Sequence, residues 1–282
     1  MKINLSLKDS VFTALFKDPG LLRELYNALG GVSLPLDVPV SINTLENVLY
    51  MDLYNDISFE IGGKLIVLIE HQSSINPNMA LRLLLYITRV LEKIIKGRSL
   101  YSERQLSIPW PEFYVLYNGT KPYPDEEILR LSDLYKKPQD LGLPEKLNPL
   151  LELEVKVINI NEGRNKETVK KCRKLYEYSV FMSKIHAFLG EIDNKEEAVK
   201  EAVKYCHEHG ILREFLEIHG SEVLNMLLTE WNTEDAKKVW YEDGREEGKQ
   251  EIARNLLAEG SSPEFVQKIT GLDMETILNL NK

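Results

Sequence analysis

Between residues 55 and 72 the chain reads NDISFEIGGKLIVLIEHQ, and this segment restricts the fold more than any other. Ile57, Phe59 and Ile61 alternate with Asp56, Ser58 and Glu60, the two-residue period of a strand with one face toward a core. Gly62 and Gly63 then turn the chain into the apolar run LIVLI, which ends in Glu70 and reads as a central strand. A two-residue turn at the glycines would pair Ile61 with Lys64 and Asp56 with Ile69, mixing polar and apolar residues on both faces. A three-residue connection through Lys64 instead pairs Ile61 with Leu65, Phe59 with Val67 and Ile57 with Ile69, and is preferred. That register sets Asp56 opposite Glu70, where cross-strand Cβ atoms lie roughly 4.5–5.5 Å apart.

The flanking patterns extend this hairpin into an α/β plan. Upstream, DSVFTALFKDPGLLRELYNALGG reads as two short helices interrupted at Pro19 and closed by Gly30 and Gly31. Downstream of Asn76 and Pro77, MALRLLLYITRVLEKIIKG is a long helix with its stop at Gly97. EFYVLYN at 112–118 is a short buried strand, a Pro-rich loop follows, and LELEVKVINI at 151–160 is another strand. The sum is a mixed sheet flanked by helices, with an all-helical C-terminal extension.

From about residue 165 the pattern is helical, with boundaries near Gly190, Gly210 and Gly220. Three parts are expected: a core at 1–164, a helical extension at 165–240, and a charged linker with a C-terminal helical hairpin at 241–282. In the hairpin Ser262 caps a helix that has Pro263 at its first position. Its apolar residues Phe265, Ile269, Leu272, Met274, Ile277 and Leu278 exceed what two short helices bury by themselves. The hairpin is therefore expected to dock on its own core or a second subunit. With only Lys268 and Lys282 basic, it is not expected to read DNA.

Composition narrows the function classes. The chain is 43% hydrophobic and 28% charged, a globular balance without low-complexity bias. No run approaches the roughly 18 apolar residues of a membrane span, and MKINLSLKDSVF has no signal-type apolar stretch, so a cytoplasmic protein is expected. Cys172 and Cys206 are isolated and read as free thiols. The net charge of −9, from 35 Lys and Arg against 44 Asp and Glu, argues against a broad nucleic-acid footprint. Enzymes that use metal ions on nucleic acid need only a local basic surface, so charge does not exclude that class.

Asp56 and Glu70 are the oxygen donors a hard divalent cation takes, and Gln72 lies on the same strand face as Glu70. Two buried carboxylates at that distance oppose joint ionisation unless a cation joins them. By spacing alone, Asp56 can equally be a turn residue at the start of the hairpin and Glu70 the exposed end of a strand. His71 points to the opposite face and reads as a packed or partly exposed histidine rather than a base. A competing set, Glu154-Val155-Lys156 with Asp140, is disfavoured because no strand pattern surrounds Asp140. Cys206-His207-Glu208-His209 lacks a second ligand pair at zinc spacing and reads as a solvated helix face. Basic residues concentrate at Arg82, Arg89, Lys93, Lys96 and Arg98, and again from Arg164 to Lys174, whereas Tyr86 falls on an apolar helix side.

The segment NDISFEIGGKLIVLIEHQSSINPNMALRLLLYITRVLEKII resembles the bacterial recombination-promoting nucleases, a transposase-like PD-(D/E)XK family. The similarity continues through SIPWPEFYVLYNGTKPYPDEEILRLSDLY and LELEVKVININ to the acidic tail GREEGKQEIARNLLAEG, covering nearly the whole chain. It implies a restriction-endonuclease-like fold and a metal-dependent endonuclease that hydrolyses DNA with little sequence specificity, linked to recombination or mobile elements. Carried over by motif, Asp56 and Glu70 would bind Mg²⁺, or Mn²⁺, together with the His71 backbone carbonyl. Gln72 would stand where most of the superfamily has lysine, and it can orient water only by hydrogen bonds. The alternative is a catalytically weak or inactive nuclease-fold protein that acts as a DNA-associated or scaffold protein. With DNA as partner, the first phosphate contacts to expect are Arg82, Arg89, Lys170, Lys171 and Arg173. No membrane is expected, and a homo-oligomer would form through the C-terminal helices.

Overall fold

The computed structural model describes residues 11–42, 57–95, 100–101, 103–136, 141–142 and 149–280; Asp56, Lys96, Arg98, Asp140 and Lys282 lie outside them. The chain divides into two compact units, Met1–Met226 and Leu227–Lys282.

The first unit is built on a mixed sheet of restriction-endonuclease-like architecture. Its strands are β1 (Val40–Ile42), β2 (Ile57–Ile61), β3 (Leu65–Gln72), β4 (Trp110–Tyr117), β5 (Glu126–Arg130) and β6 (Glu154–Asn159), in the order β1-β2-β3-β4-β6-β5. β1, β2 and β3 run antiparallel, β3, β4 and β6 run parallel, and β5 is antiparallel to β6. Ile61 pairs with Leu65, Phe59 with Val67 and Ile57 with Ile69, the three-residue connection that the alternation favours. Gly62 and Gly63 have φ of 58° and 65°, and the Lys64 amide donates to the Ile61 carbonyl at 3.1 Å. Two successive positive φ values make this a glycine turn.

Helices cover both faces of the sheet. α1 (Val11–Leu15) and α2 (Pro19–Gly30) precede it; Asp18 caps α2 by accepting from the Gly20 and Leu21 amides, and Gly31 ends it at φ 65°. Pro19 thus starts a helix rather than interrupting one. α3 (Met79–Ile95) joins β3 to the parallel β4 and packs Met79, Leu83, Tyr86 and Val90 on Ile66, Leu68, Val115 and Tyr117. On the other face, Phe12 of α1 meets His71, and Tyr26 of α2 donates to Glu112. β3 is buried on both sides over Ile66 to Glu70, which accounts for its continuous apolar run.

Beyond β6 the chain is helical: α4 (Lys166–Lys171), α5 (Arg173–Glu191), α6 (Lys195–Glu208), α7 (Arg213–Ala258), α8 (Pro263–Thr270) and α9 (Met274–Leu280). Gly210, at φ 73°, separates α6 from α7, whereas Gly220 lies inside α7. α7 also carries the backbone through most of the stretch read as a charged linker. Its Glu, Lys, Arg and Gln are good helix formers, and their summed preference outweighs the roughly 1 kcal/mol each interior glycine costs. β1 and β5 were not legible: β1 is three residues long and β5 is an edge strand with mostly exposed side chains. No helix among the described residues is long and apolar enough to cross a membrane.

In the second unit the end of α7 packs with α8 and α9 around Ala253, Val266, Leu272 and Ile277. Ser262 accepts from the Phe265 amide at 3.3 Å, and Gly271, at φ 71°, makes the turn between α8 and α9. Phe265, Ile269 and Leu278 stay exposed, so the apolar face does exceed what this small core takes in.

Candidate functional site

Glu70 sits near the carboxyl end of β3, on the face covered by α3, and is only 7% exposed. An ionised carboxylate at that depth needs a cation or several donors. Arg82 supplies a cation: its Nη2 lies 2.7 Å from Glu70 Oε1. Gln72, two residues along the same strand face, brings Nε2 to 2.8 Å from Met79 Sδ, and Arg82 Nη1 lies 3.5 Å from that sulfur. Met79 and Arg82 are three residues apart on α3, hence on one helix face. Four side chains from two elements therefore converge, of which Met79 carried no chemical signal in the sequence.

His71 points to the opposite face. Its ring stacks on Phe12 at 5.2 Å and 18°, meets Tyr178 edge-on at 5.3 Å, and lies 3.2 Å from the Tyr178 hydroxyl through Nε2. Burial, with a smaller contribution from nearby His186, lowers its pKa to about 4, so the ring is neutral at pH 7. Its packing is that of a structural histidine. The backbone is a separate matter. The amides of Trp110 and Asn118 donate to the carbonyls of Lys64 and Gln72, so even-numbered β3 residues bond to β4. By alternation the His71 carbonyl is directed to the β2 side.

β2 is the strand that leads back to Asp56. The described ladder stops at Ile57 and Ile69, and its next position would join Asp56 to Glu70, although Asp56 itself lies outside the described residues. The Glu70 carboxylate and the His71 carbonyl are hard oxygen donors of the kind Mg²⁺ or Mn²⁺ takes, so their chemistry fits a divalent ion once the carboxylate is free of Arg82. Among the described residues, no three or more His, Cys, Asp and Glu side chains gather as a metal cluster.

The loops beyond the strands are tightly fastened. A Cβ on Gly119 would lie 1.9 Å from the Ser73 carbonyl oxygen, so the segments leaving β3 and β4 touch backbone to backbone. Asn161 Nδ2 donates to the Gly119 carbonyl at 3.0 Å, and Asn159 and Asn165 donate to the carbonyls of Tyr123 and Asn159. These asparagines, at the carboxyl edge where α/β sheets place ligand sites, were not singled out from the sequence. Their signal was three Asn within seven residues at the end of a strand.

The other basic residues are distributed unevenly. Arg89 pairs with Glu92 and Arg164 with Asp125, each at 2.9 Å. Arg173 and Lys174 reach buried Glu177 at 2.7 and 3.0 Å. Burial opposes ionisation of Glu177, but the hydrogen bonds from Lys174 and Arg173 outweigh it and hold its pKa below the ordinary carboxylate value. Lys170 and Lys171 stand exposed on α4.

The rival constellations are accounted for otherwise. Glu154 pairs with Arg130 at 2.9 Å and Lys156 with Glu126 at 3.1 Å, at the amino end of β6, and Asp140 lies outside the described residues. His207 lies 3.1 Å from Glu217, His209 stacks on Tyr205, and Cys206 is buried.

Residues 44–204 match a family model described as "Putative transposase, YhgA-like", and residues 246–282 match one described as "Rpn/YhgA-like nuclease family, C-terminal HTH domain". No curated protein and no solved structure matches the chain. The first match takes in the β2–β3 hairpin, α3, all three parallel strands and α5, while the second takes in the α8–turn–α9 pair. The chain belongs to the YhgA-like Rpn/transposase nuclease family, a group related to the PD-(D/E)XK nucleases.

Proposed function

We propose that this chain is a DNA-associated nuclease-fold protein whose cleavage centre is weak as built. The observation that carries the reading is the Glu70–Arg82 ion pair, which occupies the buried carboxylate while Gln72 rests its amide on Met79. Glu70 and the His71 carbonyl, with Asp56 across the strand, would hold Mg²⁺ or Mn²⁺. When bound, such an ion supplies charge stabilisation at phosphoryl oxygen and acidifies water. Gln72 brings no charge, so its contribution is to orient water through its amide. Lys170 and Lys171, exposed on α4, offer charge to the DNA backbone, and Arg82, Arg89 and Arg173 contribute once released from their carboxylates.

A second reading, an efficient Mg²⁺-dependent endonuclease, draws on the family membership and on the shared strand face of Glu70 and Gln72. One experiment separates the two: supercoiled plasmid with Mg²⁺ or Mn²⁺, comparing the wild type with Glu70→Gln, and DNA binding measured beside cleavage. Slow nicking that Glu70→Gln abolishes, with binding retained, supports the first reading. Turnover in the ordinary enzymatic range of roughly 1 s⁻¹ or faster supports the second. Absence of DNA binding overturns both.

A further inference from the structure

Arg82 stands where a phosphate contact is expected, yet its guanidinium lies 2.7 Å from the one described carboxylate suited to a metal. The backbone beneath it is held firmly, because Met79 and Leu83 on the same helix are buried in the core. The Arg82 side chain is 31% exposed and that of Glu70 is 9% exposed, so the arginine is the partner with the wider access to solvent. Arginine cannot relieve the pairing by losing its proton. A divalent ion and this guanidinium compete for the same carboxylate, since a doubly charged ion brought beside the guanidinium in a partly desolvated site is repelled by it.

From this we infer that Arg82 is an internal cation that competes with divalent metal for Glu70. It sets the metal concentration at which the centre assembles and frees its guanidinium for a DNA phosphate when displaced. The inference rests on the proposed placing of metal at Glu70 and adds the element that makes the centre weak. Arg82 acts here as a positioning residue with two stations, Glu70 in the absence of metal and phosphate in its presence.

The test is Mn²⁺ binding by calorimetry on the full chain, without DNA, for the wild type, Arg82→Gln, Arg82→Lys and Glu70→Gln. Arg82→Gln keeps a hydrogen-bond donor for the buried carboxylate but removes the charge, and it is expected to bind Mn²⁺ about tenfold more tightly. Arg82→Lys keeps the charge and stays near the wild type, and Glu70→Gln abolishes binding. Mn²⁺-induced increase in melting temperature gives a second readout that registers only folded protein, and it should be larger for Arg82→Gln than for the wild type. Unchanged or weaker binding in Arg82→Gln, with binding still lost in Glu70→Gln, overturns the competition while leaving metal at Glu70. Binding that survives Glu70→Gln, or is absent from every variant, overturns the metal site and the inference with it.

Discussion

Ile57 lies directly across from Ile69 in the β2–β3 ladder. The next position along an antiparallel pair needs no further choice of register; it lies beyond the described ladder, and the sequence register assigns it to Asp56 and Glu70. The pair is expected to act as one unit toward metal. Asp56→Asn should weaken Mn²⁺ binding, Glu70→Gln should abolish it, and adding Asp56→Asn to Glu70→Gln should change nothing further. Asp56→Asn with wild-type affinity would remove Asp56 from the site.

The second unit has the helix-turn-helix form named by its family model, but between 246 and 282 it carries four Lys and Arg against seven Asp and Glu. That balance repels a phosphate backbone. Reversing charge at Lys268 is expected to leave DNA affinity within about twofold, whereas reversing both Lys170 and Lys171 should lower it at least tenfold and reduce the salt slope by about 2. A larger loss from Lys268→Glu than from the α4 pair would make the C-terminal module the reader.

Gly119 permits the contact between the segments that leave β3 and β4. Its Cβ position collides with the Ser73 carbonyl at 1.9 Å and with the Tyr117 hydroxyl at 2.6 Å. Gly119→Ala must therefore move backbone beside Gln72. A destabilisation of roughly 1–3 kcal/mol is expected in urea unfolding, and a neutral result would show that the two segments separate at no cost.

Glu177 accepts from Arg173, from Lys174 and, at 3.3 Å, from the Leu212 amide, so it joins α5 to the start of α7. Leu212 has φ of 50°, a conformation non-glycine residues rarely adopt, and the hydrogen bond helps to hold it. Because the folded pKa is depressed, the contribution of Glu177 is complete above the ordinary carboxylate pKa and is lost as pH falls through the lower folded value. Glu177→Gln should cost roughly 1–3 kcal/mol at pH 7, and the difference from the wild type should shrink on acidification. A difference that grows at low pH would contradict the assignment.

Cys172 and Cys206 are both buried, and burial raises each thiol to about 11. Thiolate is scarce at pH 8 and out of reach, so neither should react with iodoacetamide in the folded protein, and both should react after denaturation. Mass spectrometry of the alkylated chain reads this directly; rapid labelling of native protein would contradict the burial.

Local rules account for what could be read from the chain alone. Alternation through Phe59 and Ile61, two glycines able to take positive φ, and an apolar run with a single carboxylate settle the hairpin register and place His71 opposite Glu70. Those depend on a two-residue period and on one turn, both short-range. Resemblance added the role of the residues, which spacing could not supply.

Tertiary packing decided the rest. Arg82 meets Glu70 across twelve residues because α3 lays one face on β3, and a helical period in the sequence states which residues share a face but not which strand they cover. The edge strand β5 is held by its ladder to β6 rather than by burial, so its hydrophobic pattern was too weak to read. Glu177 finds the Leu212 amide 35 residues away, and Asn161 the Gly119 carbonyl 42 residues away. Such polar partners are chosen by proximity after folding, when a buried group must be satisfied by whatever the packed chain brings near, and that choice leaves no periodic trace in the sequence.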